Sequence, residues 1–216
     1  MTLDVVTASA PLARPSRRRA GTRPQRGVTL LELLIGVGVI IVVMVIVLMG
    51  LRSLNAQMDR SALLRQAPQI KVSLAGYGAA ADFSRLDTAG AIAMGAFPRE
   101  MVTGSGADAK VTHPFGGQIH AKGLAQDLLP LKGGRAFSLT YAGIPVEQCA
   151  GVARGLAMLG EGLWIDAAVA SPPAMPASAA MLRAPGSDAP IDISALARQC
   201  SPATGDTVSI HVLMGV

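Results

Sequence analysis

The sequence is poor in aromatic residues, cysteine and histidine. Only seven of its 216 residues are aromatic, two are cysteine and three are histidine. A core without large aromatic anchors must be built from Leu, Val, Ile, Met and Ala, so we expect a domain of modest stability. The histidines, His113, His120 and His211, lack the i, i+4 spacing of a zinc-binding helix and have no acidic cluster beside them. We therefore expect neither a bound metal nor a cofactor.

The basic charge of the chain is confined to its first 27 residues. These residues carry six arginines against a single acid, Asp4, whereas residues 28–216 hold 13 basic and 13 acidic residues. The formal net charge of +5 thus belongs to the N-terminal segment. Because the remainder is neutral, we expect no nucleic-acid partner.

A continuous apolar segment follows, over residues 28–51. Its 24 residues include one ionisable side chain, Glu32, and would form roughly 36 Å of helix, enough to cross a bilayer. Arginines precede the segment and only Arg52 follows it directly, so the positive-inside rule places residues 1–27 in the cytoplasm and residues 52–216 outside. A cleaved secretory signal has a shorter apolar region and a small-x-small site, which this segment lacks. A plain signal anchor stays open as an alternative.

Glu32 requires an explanation, because a carboxylate within a membrane helix costs about 2.5 kcal/mol or more and is usually functional. Cleavage after Gly27 would create an α-amine on Val28, one helical turn from Glu32. In an assembly, the amine of a neighbouring subunit could neutralise this carboxylate. The cost of the charge in lipid would then favour polymerisation.

The segment Arg26-Gly27-Val28-Thr29-Leu30-Leu31-Glu32 resembles the cleavage site of type IV prepilins, with Gly before the cut and Glu fifth after it. The resemblance implies cleavage between Gly27 and Val28 by prepilin peptidase and N-methylation of Val28. It also implies extraction from the inner membrane of a Gram-negative bacterium into an extracellular helical filament. Most family members begin the mature chain with Phe, so Val28 departs from the pattern. A non-Phe first residue and a leader of 27 residues are similar to the type IVb branch.

We predict an α+β fold, with a long N-terminal helix packed on an antiparallel sheet and one disulfide. Four segments are expected: a cleaved cytoplasmic leader at 1–27, a transmembrane and polymerisation helix at 28–53, its amphipathic continuation at 54–78, and a globular head at 79–216. The continuation carries an apolar stripe with helical spacing, namely Leu63, Ala67, Ile70, Leu74 and Tyr77. Pro68 is expected to kink this helix, and Gly76-Tyr77-Gly78 to end it.

The head shows both strand and helix periodicities. Alternating apolar residues predict antiparallel strands from Phe137 to Tyr141, from Leu163 to Val169 and from Val208 to Val212. Helical spacing predicts two helices, from Cys149 to Leu159 and from Ile193 to Cys200.

A disulfide between Cys149 and Cys200 is the default prediction, because the apolar segment places both residues in an oxidising compartment. Both cysteines lie on the apolar faces of their predicted helices, after Pro145 and after the expected cap Asp192. Closing a loop of about fifty residues would stabilise the fold by about 4 kcal/mol in the chain-entropy model.

Four stretches of the head add to the resemblance, and they are most similar to the toxin-coregulated and PilS-type thin-pilus pilins of the type IVb branch. They are Gly76–Gly78, His113–Gly117, Ala136–Cys149 and Ile193–Cys200. Relatives tend to have Asn-Pro-Phe where this chain has His113-Pro114-Phe115. By analogy, Cys149 and Cys200 bound the variable region on the filament surface.

The Pro-rich stretches 171–177 and 184–188 predict a surface loop. Such a loop has two possible roles. It is a surface for adhesion or filament contact, or it is an ordinary solvent-exposed loop.

We expect a structural subunit rather than an enzyme. Its implied partners are further copies of itself, prepilin peptidase and the inner-membrane assembly machinery, with a host or neighbouring cell surface as a further candidate. Three alternatives stay open: a minor pilin or adhesin of the same system, a type II secretion pseudopilin and, more remotely, a membrane-anchored periplasmic enzyme. An enzyme would need a pocket with convergent ionisable groups. A Cys–His hydrolase would need a free thiol near His211, and the Gly104–Lys110 segment lacks the final Gly-Lys-Ser/Thr of a phosphate loop.

Overall fold

The computed structural model describes residues 29–77, 80–167, 181–202 and 205–216. The chain divides into two compact units whose boundary lies between Ile46 and Val47. A single helix, α1 (Leu30–Ala75), runs through both predicted helical segments, and of their described residues Thr29, Gly76 and Tyr77 lie outside it. Pro68 lies inside α1, and the helix ends directly before Gly76, as the glycines there predict.

The apolar stripe of α1 is confirmed over four of its five members. Leu63, Ala67, Ile70 and Leu74 are buried in the main core of the head. The prediction for Tyr77 is wrong, because the helix has already ended and this side chain is 43% exposed. Its hydroxyl donates a hydrogen bond to the carbonyl of Met94 instead.

Within the described residues the head forms one six-stranded antiparallel sheet with the strand order β1-β2-β3-β4-β6-β5. The strands are β1 (Val102–Thr103), β2 (Lys110–Thr112), β3 (Gln118–Gly123), β4 (Ala136–Pro145), β5 (Gly162–Ala167) and β6 (Thr207–Gly215). The helices of the head are α2 (Thr88–Ala93), α3 (Val146–Ala157) and α4 (Ile193–Gln199). The three predicted strands are thus confirmed as β4, β5 and β6, although Val169 lies outside the described residues. The α+β fold is confirmed.

The two faces of the sheet pack against different clusters. The inner face joins α1 and α3 in the main core, to which strands β4 and β6 contribute Phe137, Leu139, Tyr141, Val208, Ile210 and Val212. The outer face is covered by a small second cluster of four buried residues, Leu124, Ala136, Trp164 and Leu213. Because β4 and β6 are covered on both faces, three polar residues of their alternating pattern, Thr140, Ser209 and His211, are buried as well, whereas Ser138 is half-buried.

Both predicted helices of the head are confirmed. α3 begins after Pro145, and α4 is capped by Asp192, whose side chain accepts a hydrogen bond of 2.8 Å from the Ser194 amide. Ile193 does not belong to the buried face of α4, contrary to prediction. It is the first residue of the helix and is 76% exposed, whereas Leu196 and Cys200 are buried.

Candidate assembly helix and disulfide-bounded region

The first part of α1 presents an apolar surface without a covering. Every large apolar side chain from Leu30 to Leu51 is at least 45% exposed. An 18-residue window of this helix has a mean hydropathy of 3.2, which satisfies the length and composition required to cross a membrane. A continuous apolar surface of this extent marks a region that contacts lipid or other protein.

Glu32 lies in the first turn of α1 and is exposed. The amide of Glu32 donates a hydrogen bond of 3.3 Å to the hydroxyl of Thr29. The Thr29-x-x-Glu32 spacing is that of a capping box. A carboxylate in the first turn also stabilises the helix by interacting with the positive end of its dipole. Glu32 therefore has a local role at the helix start that the sequence interpretation missed, although the spacing signalled it. Gly27 and Val28 lie outside the described residues, so cleavage, methylation and the amine–carboxylate pair stay predictions.

The disulfide between Cys149 and Cys200 is confirmed. The two sulfur atoms are 1.94 Å apart and the two Cα atoms 5.7 Å apart, across a sequence separation of 51 residues. Both cysteines are buried, Cys149 within α3 and Cys200 directly after α4. The chain has no free cysteine, which excludes a Cys–His hydrolase.

Hydrogen bonds of Arg183 also fix the region between the two cysteines to the rest of the head. Its backbone pairs with Leu163 through two hydrogen bonds of 2.9 and 3.2 Å, which extends the sheet by one residue beyond β5. Its guanidinium donates to the carbonyl of Ala157 at 2.8 Å, and Lys71 donates to the carbonyl of Leu159 at 2.8 Å. Arg183 therefore satisfies a carbonyl that the end of α3 leaves unpaired, and Lys71 binds a carbonyl of the turn two residues beyond α3.

His113 is buried and hydrogen-bonded to strand β4. Its buried ring lies 2.8 Å from the carbonyl of Ala142 through Nε2, so Nε2 carries the donated proton. Burial lowers the pKa of His113, and this hydrogen bond partly opposes the effect. A Cβ atom at Gly117 would lie 1.9 Å from the same carbonyl, so only glycine permits this close approach. The His-Pro-Phe-Gly-Gly stretch thus fixes the β2–β3 connection against β4.

The other two histidines lie on the outer face of the sheet. His211 is fully buried, with Nδ1 2.8 Å from the hydroxyl of Thr140 and Nε2 3.4 Å from a carboxylate oxygen of Asp166. Its ring stacks on the indole of Trp164 with centroids 5.0 Å apart and an 8° angle between the planes. Sequence reasoning could not find this cluster, because its members lie on four separate strands.

Burial is the main influence on the ionisation of this cluster. It lowers the pKa of His211 to about 4, and the charge of His120 contributes further. Burial also lowers the pKa of His120. The pKa of Asp166 is raised by burial, and the Trp164 side chain opposes that shift. Among the described residues, no group of three or more His, Cys, Asp or Glu side chains is arranged to hold a metal ion.

A shallow groove of the head lies where α1 meets the start of α3. It is lined by Asn55, Ala56, Asp59, Pro114, Phe115, Pro145, Glu147 and Gln148. Its two carboxylates, on Asp59 and Glu147, have no histidine or cysteine beside them in this lining. The groove therefore lacks the histidine and cysteine of a Cys–His hydrolase.

No protein-family model matches this chain, and no curated protein matches it. Two type IV pilins are among the solved structures that are similar to it. The type IV b pilin from Salmonella typhi has 17% sequence identity and a TM-score of 0.49, and the match covers 72% of this chain and 99% of that one. TcpA, a type IV pilin from the Vibrio cholerae El Tor biotype, has 12% identity and a TM-score of 0.51, over 72% of this chain and 98% of that one. The long N-terminal helix, antiparallel sheet and disulfide, together with the likeness to TcpA, show that this chain has the type IV pilin fold.

Proposed function

We propose that this chain is the structural subunit of a type IVb pilus. In this proposal prepilin peptidase cleaves it between Gly27 and Val28, Val28 is N-methylated, and the mature subunit joins an extracellular helical filament. One observation carries the proposal: a chain with the type IV pilin fold exposes an apolar helical surface that contains a single acid, Glu32.

The exposed surface of α1 supports polymerisation on physical grounds. A helical polymer needs a contact between two different patches that does not close into a ring. An apolar helix supplies a large part of this contact, and a pair between Glu32 and the new amine of a neighbouring subunit would set its register. Before assembly, the same apolar surface would hold the subunit in the inner membrane, with its basic N-terminus in the cytoplasm.

The described part of the head supports a surface role. It has a disulfide-stabilised core, and the region between the cysteines is anchored at both ends and again at Arg183. Such a region can carry an exposed, changeable sequence without loss of the sheet. In the filament, the head would therefore face outward, toward a host or a neighbouring cell.

Intact-mass measurement of the chain from sheared filaments or membranes of its native host tests the proposal. We expect a mass that begins at Val28 and is heavier by about 14 Da for one methyl group. Reduction should add about 2 Da for the disulfide. A chain that retains residues 1–27 would contradict prepilin processing and would favour the membrane-anchored alternatives.

A matched pair of glycine variants sharpens this test. Gly27→Ser should block maturation, because the proposed cleavage site requires glycine before the cut. Gly36→Ser is the control, since a Cβ atom at Gly36 meets no atom within 4 Å. If both variants yield the mature mass, or neither does, cleavage does not depend on Gly27 in the proposed way.

A further inference from the structure

A row of four side chains crosses the outer face of the sheet. His120 of β3 lies opposite Thr140 of β4, Thr140 lies opposite His211 of β6, and His211 lies opposite Trp164 of β5. Residues that face each other in an antiparallel pair lie on the same side of the sheet, so the four are direct neighbours. We call them the histidine row. Thr140, His211 and Trp164 are each at most 3% exposed.

The hydrogen bond of the His211 ring joins Nδ1 to the hydroxyl of Thr140 at 2.8 Å, whereas Nε2 has no hydrogen-bond partner within the described residues, although a carboxylate oxygen of Asp166 lies 3.4 Å from it. In the neutral ring with its proton on Nε2, Nδ1 accepts from Thr140. A second proton would occupy Nδ1 and force the Thr140 hydroxyl to turn around. The residue opposite Thr140 on its other side is His120, whose Nε2 is buried and has no partner in the described part of the chain.

The described groups around the histidine row include too little negative charge to neutralise two protonated histidines. The outer face presents one carboxylate to His211, that of Asp166 on β5, whereas Lys122 on β3 shares its face with His120. The neighbouring residues of β4 and β6 are uncharged, and the residues of the covering cluster, Leu124, Leu128, Leu131, Met181 and Leu213, are apolar. Burial and the mutual repulsion of the two histidines both disfavour their charged forms.

We propose that the histidine row is an acid-sensitive latch on the outer face of the sheet. When His120 and His211 each take up a proton, the stack between His211 and Trp164 breaks and Trp164 moves into water. The sheet and its inner core stay folded. This latch does not depend on polymerisation, because every residue that forms it belongs to one head.

The packing explains why the opening is local. Trp164 belongs to the outer cluster, which has only four buried members, whereas the inner face joins a much larger core that contains the disulfide. Loss of the small cluster therefore leaves most of the buried apolar surface, and with it most of the stabilisation, in place.

Trp164 is the single tryptophan of the chain, so its fluorescence reports the latch directly. The full chain, with its disulfide intact and in detergent micelles, is titrated with acid while tryptophan emission and far-ultraviolet circular dichroism are recorded. We expect a reversible shift of the emission maximum to longer wavelength. The shift should fall below the ordinary histidine pKa of about 6.5 and above the folded pKa of His211, about 4. The dichroism should not change over this range.

Three variants assign the transition to the row. His211→Gln, which can still pair with Thr140 but cannot titrate, should abolish the emission shift. His120→Gln removes one repelling charge and should move the midpoint to lower pH. Among the described residues, Asp166 supplies the anion near His211, so Asp166→Asn removes the stabilisation of a protonated His211 in the closed state and should move the midpoint to higher pH.

His113→Gln is the matched control, because His113 is also buried but contacts Phe115 and Tyr141 rather than Trp164. It should leave the midpoint unchanged. Asp166 is half exposed, so Asp166→Asn keeps the test available if His211→Gln does not fold. Three results would each overturn the latch: quenching without a wavelength shift, a midpoint unaffected by Asp166→Asn, or loss of dichroism in the same pH range.

Discussion

At the scale of single residues, Glu32 has a position at the start of a helix and a proposed role in assembly, and the two can be separated. As the third residue of α1 it fits a capping box with Thr29, whose hydroxyl accepts from the Glu32 amide. As the single charge in an exposed apolar stretch, it also fits the proposed pair with a neighbouring subunit's amine. A glutamine at this position can complete a capping box but carries no charge, so the two roles respond differently to substitution.

We expect Glu32→Gln and Glu32→Ala to insert, to be cleaved and yet to assemble poorly. Loss of the charge pair leaves a neighbouring amine unpaired in an apolar contact, and about 2.5 kcal/mol per contact would reduce assembly by tenfold or more. The measurement is the amount of subunit in sheared filaments relative to that in membranes. Normal filaments from Glu32→Gln, with a defect in Glu32→Ala alone, would show that Glu32 acts only as a helix cap.

At the scale of elements, the end of α3 is the best-anchored point of the disulfide-bounded region. Lys71 reaches it from α1, and Arg183 reaches it from the segment beside β5. Arg183 pairs with the Ala157 carbonyl at the end of α3, and Lys71 pairs with the Leu159 carbonyl two residues later, which links three elements at one place. Arg183 is therefore expected to stabilise the head more than its half-buried position suggests.

We predict that Arg183→Met lowers the free energy of unfolding by about 1 to 2 kcal/mol, the usual worth of a hydrogen bond from a charged group. Methionine keeps the aliphatic packing of the side chain. Urea unfolding of the oxidised chain, followed by Trp164 fluorescence, gives the value. Arg154→Met is the control, because Arg154 is an exposed residue of α3 and its loss should change stability little. Equal losses in both variants would contradict the anchoring role.

At the scale of the whole molecule, the histidines make stability depend on pH. The pKa values of His113, His120 and His211 are all lower in the folded state than in an unfolded chain. The unfolded chain therefore binds protons more readily, so the stabilisation is complete above about pH 6.5 and is lost as pH falls. Asp166, whose pKa is raised in the folded state, opposes this trend as the pH falls toward its ordinary value of 3.8, and it adds no further pH dependence well below that value.

The free energy of unfolding should fall steadily from pH 7 toward pH 4. With the histidine row closed, the folded pKa of His211 of about 4 corresponds to a loss of at most about 3 kcal/mol across this interval, and opening of the row makes the loss smaller. Urea titrations at several pH values measure the slope, and His211→Gln should flatten it. A free energy of unfolding that stays constant between neutral pH and pH 4.5 would contradict the claim that the buried histidines are neutral in the folded state.

The sequence predicted those elements whose pattern has one dominant period. The helical stripe from Leu63 to Leu74, the strands around Phe137, Leu163 and Val208, and the two cysteine-bearing helices all show it. β1 and β2 are two and three residues long, too short for any period, and are defined by their pairing. The histidine row needs the register of four distant strands, which no local pattern contains.

β6 (Thr207–Gly215) is the last strand along the chain, yet it lies between β4 and β5 in the sheet. During synthesis, β4 and β5 are complete while the edge that each offers to β6 is still unpaired. At about 5–20 residues per second, the chain from Ala167 to Thr207 takes a few seconds to make. Until then the head carries open strand edges that invite proteases and aggregation. A chain truncated before β6 would retain those edges, so proteolysis can distinguish finished subunits from unfinished ones before any enter a filament.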